Sequence, residues 1–262
     1  MYISNPYLPA ATEIHSANME KQEITAEALL DIPVPHDVRI SPDGSKVVYS
    51  VCTTSKSGEH ATSALWLADV GKEYSAGQLT SGLFNDESPQ WSPGPPNEGE
   101  IVFISDRAKP GESSALYSIS PGRGGEPHPL TKVDNKKRIE GFKWSPNQQF
   151  IAFISPDEKT KDQEAREEAT GEAKVYGENW EYNRLRCVHL ATREVVTLLE
   201  EKFHVTDFAW KGDSIEIACI TQETPDINSA GYHGTTFRRV SVAQGKQVIV
   251  SKEKFPGPAR NL

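Results

Sequence analysis

The feature that most constrains this chain is a phrase written four times. It reads "VRISPDGSKVVYSV" (Val38 to Val51), "PQWSPGPPNEGEIVFIS" (Pro89 to Ser105), "FKWSPNQQFIAFIS" (Phe142 to Ser155) and "DFAWKGDSIEIACI" (Asp207 to Ile220). Each copy has an anchor residue, then a turn, then an apolar run. The anchors are Ile40, Trp91, Trp144 and Trp210, spaced by 51, 53 and 66 residues. A period of this length marks a repeat architecture, in which one supersecondary unit stacks on the next.

Each unit goes on with two more strand-like phrases. The first set is "ALWLADV" (Ala64 to Val70), "ALYSIS" (Ala115 to Ser120), "RLRCVHL" (Arg184 to Leu190) and "FRRVSV" (Phe237 to Val242). The second is "GQLT" (Gly77 to Thr80), "EPHPLT" (Glu126 to Thr131), "EVVTLL" (Glu194 to Leu199) and "KQVIV" (Lys246 to Val250). With the anchor segment split at its turn, every repeat holds four short strands. Four antiparallel strands in about 40–50 residues make a β-propeller blade. The expected fold is therefore all-β, a propeller of WD40-like or TolB-type blades, with about four blades of a larger, incomplete ring. Blades are expected over about 36–82, 87–132, 139–200 and 204–251, within a partial propeller domain at 24–262. Residues 1–23 are expected to form an N-terminal tail.

Local chemistry agrees with this reading. "SPDG" (Ser41 to Gly44) suits a type I turn, with Pro pre-set at the second position and Gly at the fourth. The runs "KVVYSV", "EIVFIS", "FIAFIS" and "IEIACI" are nearly continuous in apolar residues, as expected of strands covered on both faces. The anchor Trp residues are expected to pack between blades.

Two stretches depart from the repeat. "EKQEITAEALLD" (20–31) reads as a short helix that Thr25 caps and Pro33 ends. A charged insertion at 156–182 lengthens the third repeat. From Asp157 to Lys174, 11 of 18 residues are charged, which predicts a solvated loop or short helix. The aromatic-rich "VYGENWEYNRL" (Val175 to Leu185) that follows can pack back on the body or form an interaction surface.

Charge and motifs narrow the function. The chain carries 28 Lys and Arg against 37 Asp and Glu, a net charge of −9 that excludes a basic nucleic-acid footprint. Its best basic cluster, "KVDNKKR" (Lys132 to Arg138), reads as a solvated inter-strand loop. Cys52, Cys187 and Cys219 are widely separated, with no CxxC pair for zinc or redox chemistry. No run reaches the roughly 20 apolar residues of a membrane-spanning helix, and no apolar signal region opens the chain. The expectation is a soluble, cytoplasmic protein without nucleic-acid or membrane partners. G-x-S-x-G, H-E-x-x-H and G-x-x-x-x-G-K-[ST] do not occur; the nearest string to the first is "GDSIE" (Gly212 to Glu216). "GRGGEP" (Gly122 to Pro127) reads as a turn. His36 in "PHDVRI" and His204 in "FHVTDFAW" each precede an anchor strand, which predicts a structural role at the blade entry.

These phrases resemble the N-terminal propeller of the prolyl oligopeptidase family of serine peptidases. The acylaminoacyl-peptidase and dipeptidyl-peptidase branch is the most similar. The resemblance rests on "VRISPDGSKVVYSV", "ALWLADV", "PQWSP" with "EIVFISDR", "GGEPHPLT", "FKWSP" with "FIAFIS", and "VYGENWEYNRLRCVHLATREV", and covers about 24–262. It implies a propeller of about seven blades capping an α/β-hydrolase domain, which carries a Ser-Asp-His triad and an oxyanion hole. The propeller restricts entry to short or unfolded peptides. The 262 residues are expected to hold about four blades and to lack the hydrolase domain. No catalytic residue is therefore carried over, and no cofactor-binding or metal-binding residue is expected. Partners implied are peptide substrates met through the hydrolase domain, and self-association through open blade edges. A non-catalytic propeller scaffold for protein binding is the alternative.

Overall fold

The computed structural model describes residues 25, 29–30, 32–52, 60–94, 99–121, 125–135, 137–170, 176–177, 180–199, 201–226, 228–242 and 248–258. The N-terminal tail lies outside them, as does most of the helix expected over 20–31; Leu29 and Leu30 are helical. Residues 122–124 of the Gly-rich turn also lie outside.

Sixteen strands form four antiparallel four-stranded sheets in sequence order. Blade 1 holds β1 (Val34–Ile40), β2 (Lys46–Cys52), β3 (Ser63–Asp69) and β4 (Gly77–Gln78). Blade 2 holds β5 (Asp86–Trp91), β6 (Ile101–Ser105), β7 (Ala115–Ile119) and β8 (His128–Pro129). Blade 3 holds β9 (Gly141–Trp144), β10 (Phe150–Pro156), β11 (Asn183–His189) and β12 (Val195–Thr197). Blade 4 holds β13 (His204–Trp210), β14 (Glu216–Gln222), β15 (Thr235–Ser241) and β16 (Val248–Phe255). The register makes the repeat exact at the anchors. Ile40 pairs with Val47, Trp91 with Ile101, Trp144 with Ile151 and Trp210 with Ile217. The expected turn is present: Gly44 donates to the Ser41 carbonyl at 2.9 Å with φ 73°, a conformation glycine adopts without strain. The Asp43 carboxylate accepts from Ser41 and Ser45, which lowers its pKa to about 2.

Alternation along each second strand sends one set of side chains to each neighbouring blade. In β10, Ile151 and Phe153 join Val102, Ile104 and Leu116 in the seam between blades 2 and 3. Ala152 and Ile154 join Val205, Phe208 and Cys219 in the seam between blades 3 and 4. Val48 and Leu65 meet Ile101, Phe103 and Tyr117 between blades 1 and 2. Each fully buried aliphatic or aromatic side chain contributes about 1.5–3 kcal/mol.

The expectation of second strands dry on both faces holds for the two middle blades only. β6 is buried throughout and β10 at its five central residues, whereas β2 keeps only Val48 and Ser50 buried and β14 leaves Glu216, Ala218 and Gln222 half-buried. No described blade flanks the outward faces of blades 1 and 4; the short helix at Ser229–His233 packs on β14, where Cys219, Ile220 and Thr221 are buried in a row. Ile40 accordingly stays 64% exposed, while Trp91 and Trp144 at the equivalent positions are 9% and 8% exposed.

The charged insertion carries helix α1 (Lys161–Thr170), between β10 and β11. Thr160 and Gln163 close a reciprocal capping box: the Gln163 N–H donates to Thr160 Oγ1 at 3.3 Å, and the Thr160 N–H to Gln163 Oε1 at 2.8 Å. Asp162 and Glu164 in the first turn complement the helix dipole. A shorter helix, α2 (Ser229–His233), sits between β14 and β15.

Candidate functional site

The first strand of each blade bonds to the next blade's first strand, which fixes these four strands as one inner wall. Trp91 Nε1 donates to the Arg39 carbonyl at 3.1 Å, and Trp210 Nε1 to the Lys143 carbonyl at 3.0 Å. Gln90 Nε2 donates to the Phe142 carbonyl at 2.7 Å, and the Ser88 N–H to Asp37 Oδ2 at 3.2 Å. Lys143 Nζ reaches Asp207 Oδ1 at 3.2 Å and also donates to the Phe208 carbonyl. β1 and β5 carry a bulge just before the anchor, and β13 one between Val205 and Asp207, each of which turns its strand.

At one end of the blades, the hairpin loops and inter-blade connections lock into a belt. His60, before β3, lies 3.1 Å from Asp106 Oδ2; the same carboxylate accepts from the Asn85 and Gly111 N–H groups at 2.9 and 3.0 Å. Arg138 donates to the Gly111 carbonyl, and Lys109 Nζ to the Asp134 and Asn135 carbonyls, all at 3.1 Å. Lys137 pairs with Glu181 at 2.5 Å, and Tyr176 donates to Asp226 Oδ2 at 2.8 Å while its ring meets Trp180 edge-on at 5.3 Å. The aromatic phrase after the insertion thus ties blade 3 to the connection that carries α2. Beside the belt, burial raises the pKa of Glu87; the Asn85 amide and the Arg138 charge oppose that rise.

The basic cluster lies between β8 and β9 as the inter-strand loop read from sequence, with Lys132, Asp134 and Arg138 exposed, while Asp134, Asn135, Lys137 and Arg138 tie it to this belt. His204 accepts the Asn183 N–H at Nδ1, 3.2 Å away, and burial lowers its pKa. Its equivalence with His36 does not hold in the register. His204 pairs with Gln222, the counterpart of Cys52, whose partner is Val34; His36 pairs with Ser50. His36 instead lies 3.8 Å from Cys52 Sγ and 3.9 Å from Asp37. Ser214, at the string nearest a nucleophile elbow, is 5% exposed, and its Oγ accepts the Asn147 N–H of the adjacent blade at 2.9 Å. It is a seam residue. Among the described residues, no group of three His, Cys, Asp or Glu side chains is placed to hold a metal ion, and no helix is long and apolar enough to cross a membrane.

Cys187 and Cys219 face each other's blades in the seam between blades 3 and 4, and burial pushes both thiols up to about 12. Cys52 is half-exposed. A thiol reagent is expected to label one cysteine in the native chain and three after denaturation. Rapid labelling of two or more in the native chain contradicts a closed seam.

No family model and no curated protein matches the chain. Solved structures do. An acylaminoacyl peptidase in complex with Z-Gly-Gly-Phe-chloromethyl ketone superposes with a TM-score of 0.58 at 12% identity, over 85% of this chain and 33% of that one. Pyrococcus horikoshii acylaminoacyl peptidase gives 0.57 at 10% identity, over 86% and 32%. Porphyromonas gingivalis dipeptidyl peptidase 4 gives 0.55 at 13% identity, over 83% and 32%. What is shared at these identities is the fold, a β-propeller. The chain spans about a third of the length of each of these proteins.

Proposed function

We propose that this chain is the propeller portion of a serine peptidase of the prolyl oligopeptidase type. In this reading the blades narrow access to a nucleophile carried outside the 262 residues, so that short peptides, acylated or as dipeptidyl N-termini, are the substrates. The supporting observation is the fold likeness to three peptidases, each overlapping this chain over about a third of its own length. The bonded inner wall agrees, because a gate must hold its shape against a passing chain.

The test is the coding sequence past Leu262. An open frame encoding G-x-S-x-G supports the proposal; a stop followed by unrelated sequence refutes it. The purified 262-residue chain is expected to leave acyl-amino-acid and dipeptidyl chromogenic substrates intact. Turnover above that of an unrelated protein prepared in parallel overturns the placement of the chemistry elsewhere.

A further inference from the structure

At the loop end of the seam between blades 2 and 3 lies a cavity of about 250 Å³. This is smaller than the roughly 300–1,000 Å³ of sites for drug-sized ligands, and suits a ligand of about one residue. Its walls are of two kinds. Ile139, Phe153 and Val195 belong to the apolar seam itself, so the cavity floor is continuous with the core. Lys132, Lys137 and Arg186 line the same space as cations, with Glu158 as the one carboxylate. Just outside this lining, Glu181 pairs with Lys137 and Asp157 with Arg186, which leaves Lys132 as the cation with no carboxylate partner among the described residues.

Arg186 is placed there by register. It pairs with Phe153 across β10 and β11, so its stem lies beside the phenyl ring on the face turned toward blade 2. Its Nη1 donates to the Ser155 carbonyl at 2.5 Å and to Ser155 Oγ at 2.7 Å, and its Nη2 to Asp157 Oδ1 at 2.9 Å. A guanidinium has five N–H donors, so two remain. Burial and the neighbouring Arg184 charge lower its pKa, while Asp157 and Glu158 oppose that shift. Lys137 is held by Glu181. Among the described residues, Lys132 is exposed and has no ion-pair partner.

We infer that this cavity binds a small carboxylate with an apolar body, the chemistry of an N-acyl amino acid or of a peptide's C-terminal residue. The carboxylate takes the free Arg186 donors and Lys132, and the side chain covers Phe153, Ile139 and Val195. A phosphate would leave the apolar wall uncovered, and a cationic ligand would meet three like charges. This inference rests on the seam geometry alone and stands whether or not the chain serves a peptidase.

The test is calorimetric titration of the full chain with N-acetyl-L-phenylalanine and with its amide. A hexapeptide ending in phenylalanine is titrated in parallel, as the free acid and amidated. Both acids are expected to bind at least about tenfold more tightly than their amides, a difference of about 1.4 kcal/mol. Lys132→Glu should weaken the acids about tenfold or more and leave the amides and the melting temperature unchanged, since Lys132 is exposed and unpaired. Equal binding of acid and amide, no binding of either acid, or unchanged acid affinity in Lys132→Glu overturns the proposal. Binding of the peptide acid supports C-termini as the source. Binding of the N-acetyl acid alone supports small free acids.

Discussion

Trp91→Ala is expected to lower the unfolding free energy by about 3–5 kcal/mol, the cost of emptying a large buried aromatic site. Ile40→Ala, at the same register position one blade earlier, should change it by no more than about 0.5 kcal/mol, as for exposed residues generally. Sequence alone gives both positions the same role. The difference comes from the seam: Trp91 is 9% exposed and donates to the Arg39 carbonyl, whereas Ile40 is 64% exposed with no described blade beyond it. A finer comparison separates packing from hydrogen bonding. Trp144 is as buried as Trp91, but among the described residues its Nε1 has no hydrogen-bond partner. Trp91→Phe should therefore cost about 1 kcal/mol more than Trp144→Phe, the net worth of one hydrogen bond. Denaturant midpoints followed by circular dichroism read all four variants. Equal midpoints for Trp91→Ala and Ile40→Ala would refute the assignment of Ile40 to an open face.

The blades were legible because their strands carry local signals. The apolar runs and the anchor spacing repeat, and the strands fall on or beside the expected phrases, with β16 running on to Phe255, past the Val250 at which its phrase ends. The candidate site was far less legible, for a physical reason. Its contacts join residues far apart in sequence, such as Ser88 with Asp37 or Lys137 with Glu181, and neither partner signals the other in a single chain. His36 and His204 show the opposite failure. His36 stands four residues before its anchor and His204 six; the bulges in β1 and β13 each add one residue, so it is this difference in spacing that puts the two out of register. The capping box at Thr160 and Gln163 was readable in principle, since S/T-x-x-E/Q is a helix-start signature. The Arg186 cavity combines these difficulties. Its cations come from a connection and from β11, and only the antiparallel pairing of β10 with β11 sets Arg186 beside Phe153.

The second large effect is expected at Asp86, which lies just ahead of the second copy of the repeated phrase. Asp86 opens β5, is 0% exposed, and accepts Ser105 Oγ at 2.6 Å and Arg107 Nη2 at 2.8 Å through Oδ1. Among the described residues its Oδ2 has no hydrogen-bond partner, and its carbonyl accepts from Ser63 Oγ of blade 1. Arg107 lies with its guanidinium 4.8 Å from the Tyr117 ring centre, 5.3 Å from Phe103 and 5.5 Å from Phe84, so aromatic faces replace much of its lost hydration. Removing the cation alone strands a carboxylate in the seam. Arg107→Ala should therefore cost about 3–5 kcal/mol, the range for breaking a buried pair from one side. Asp86→Asn should cost less, about 1–3 kcal/mol, because Arg107 is 17% exposed and can still reach water. The double variant Asp86→Asn/Arg107→Met removes both charges and keeps the aromatic stack covered by an apolar chain. It should be more stable than Arg107→Ala, since a buried pair replaced by apolar groups of similar volume is often neutral. Such a cycle distinguishes a pair retained for its own energy from one whose importance lies in the cost of breaking it. If the double variant loses the sum of the two single losses, the charges act independently and do not form a coupled pair within blade 2.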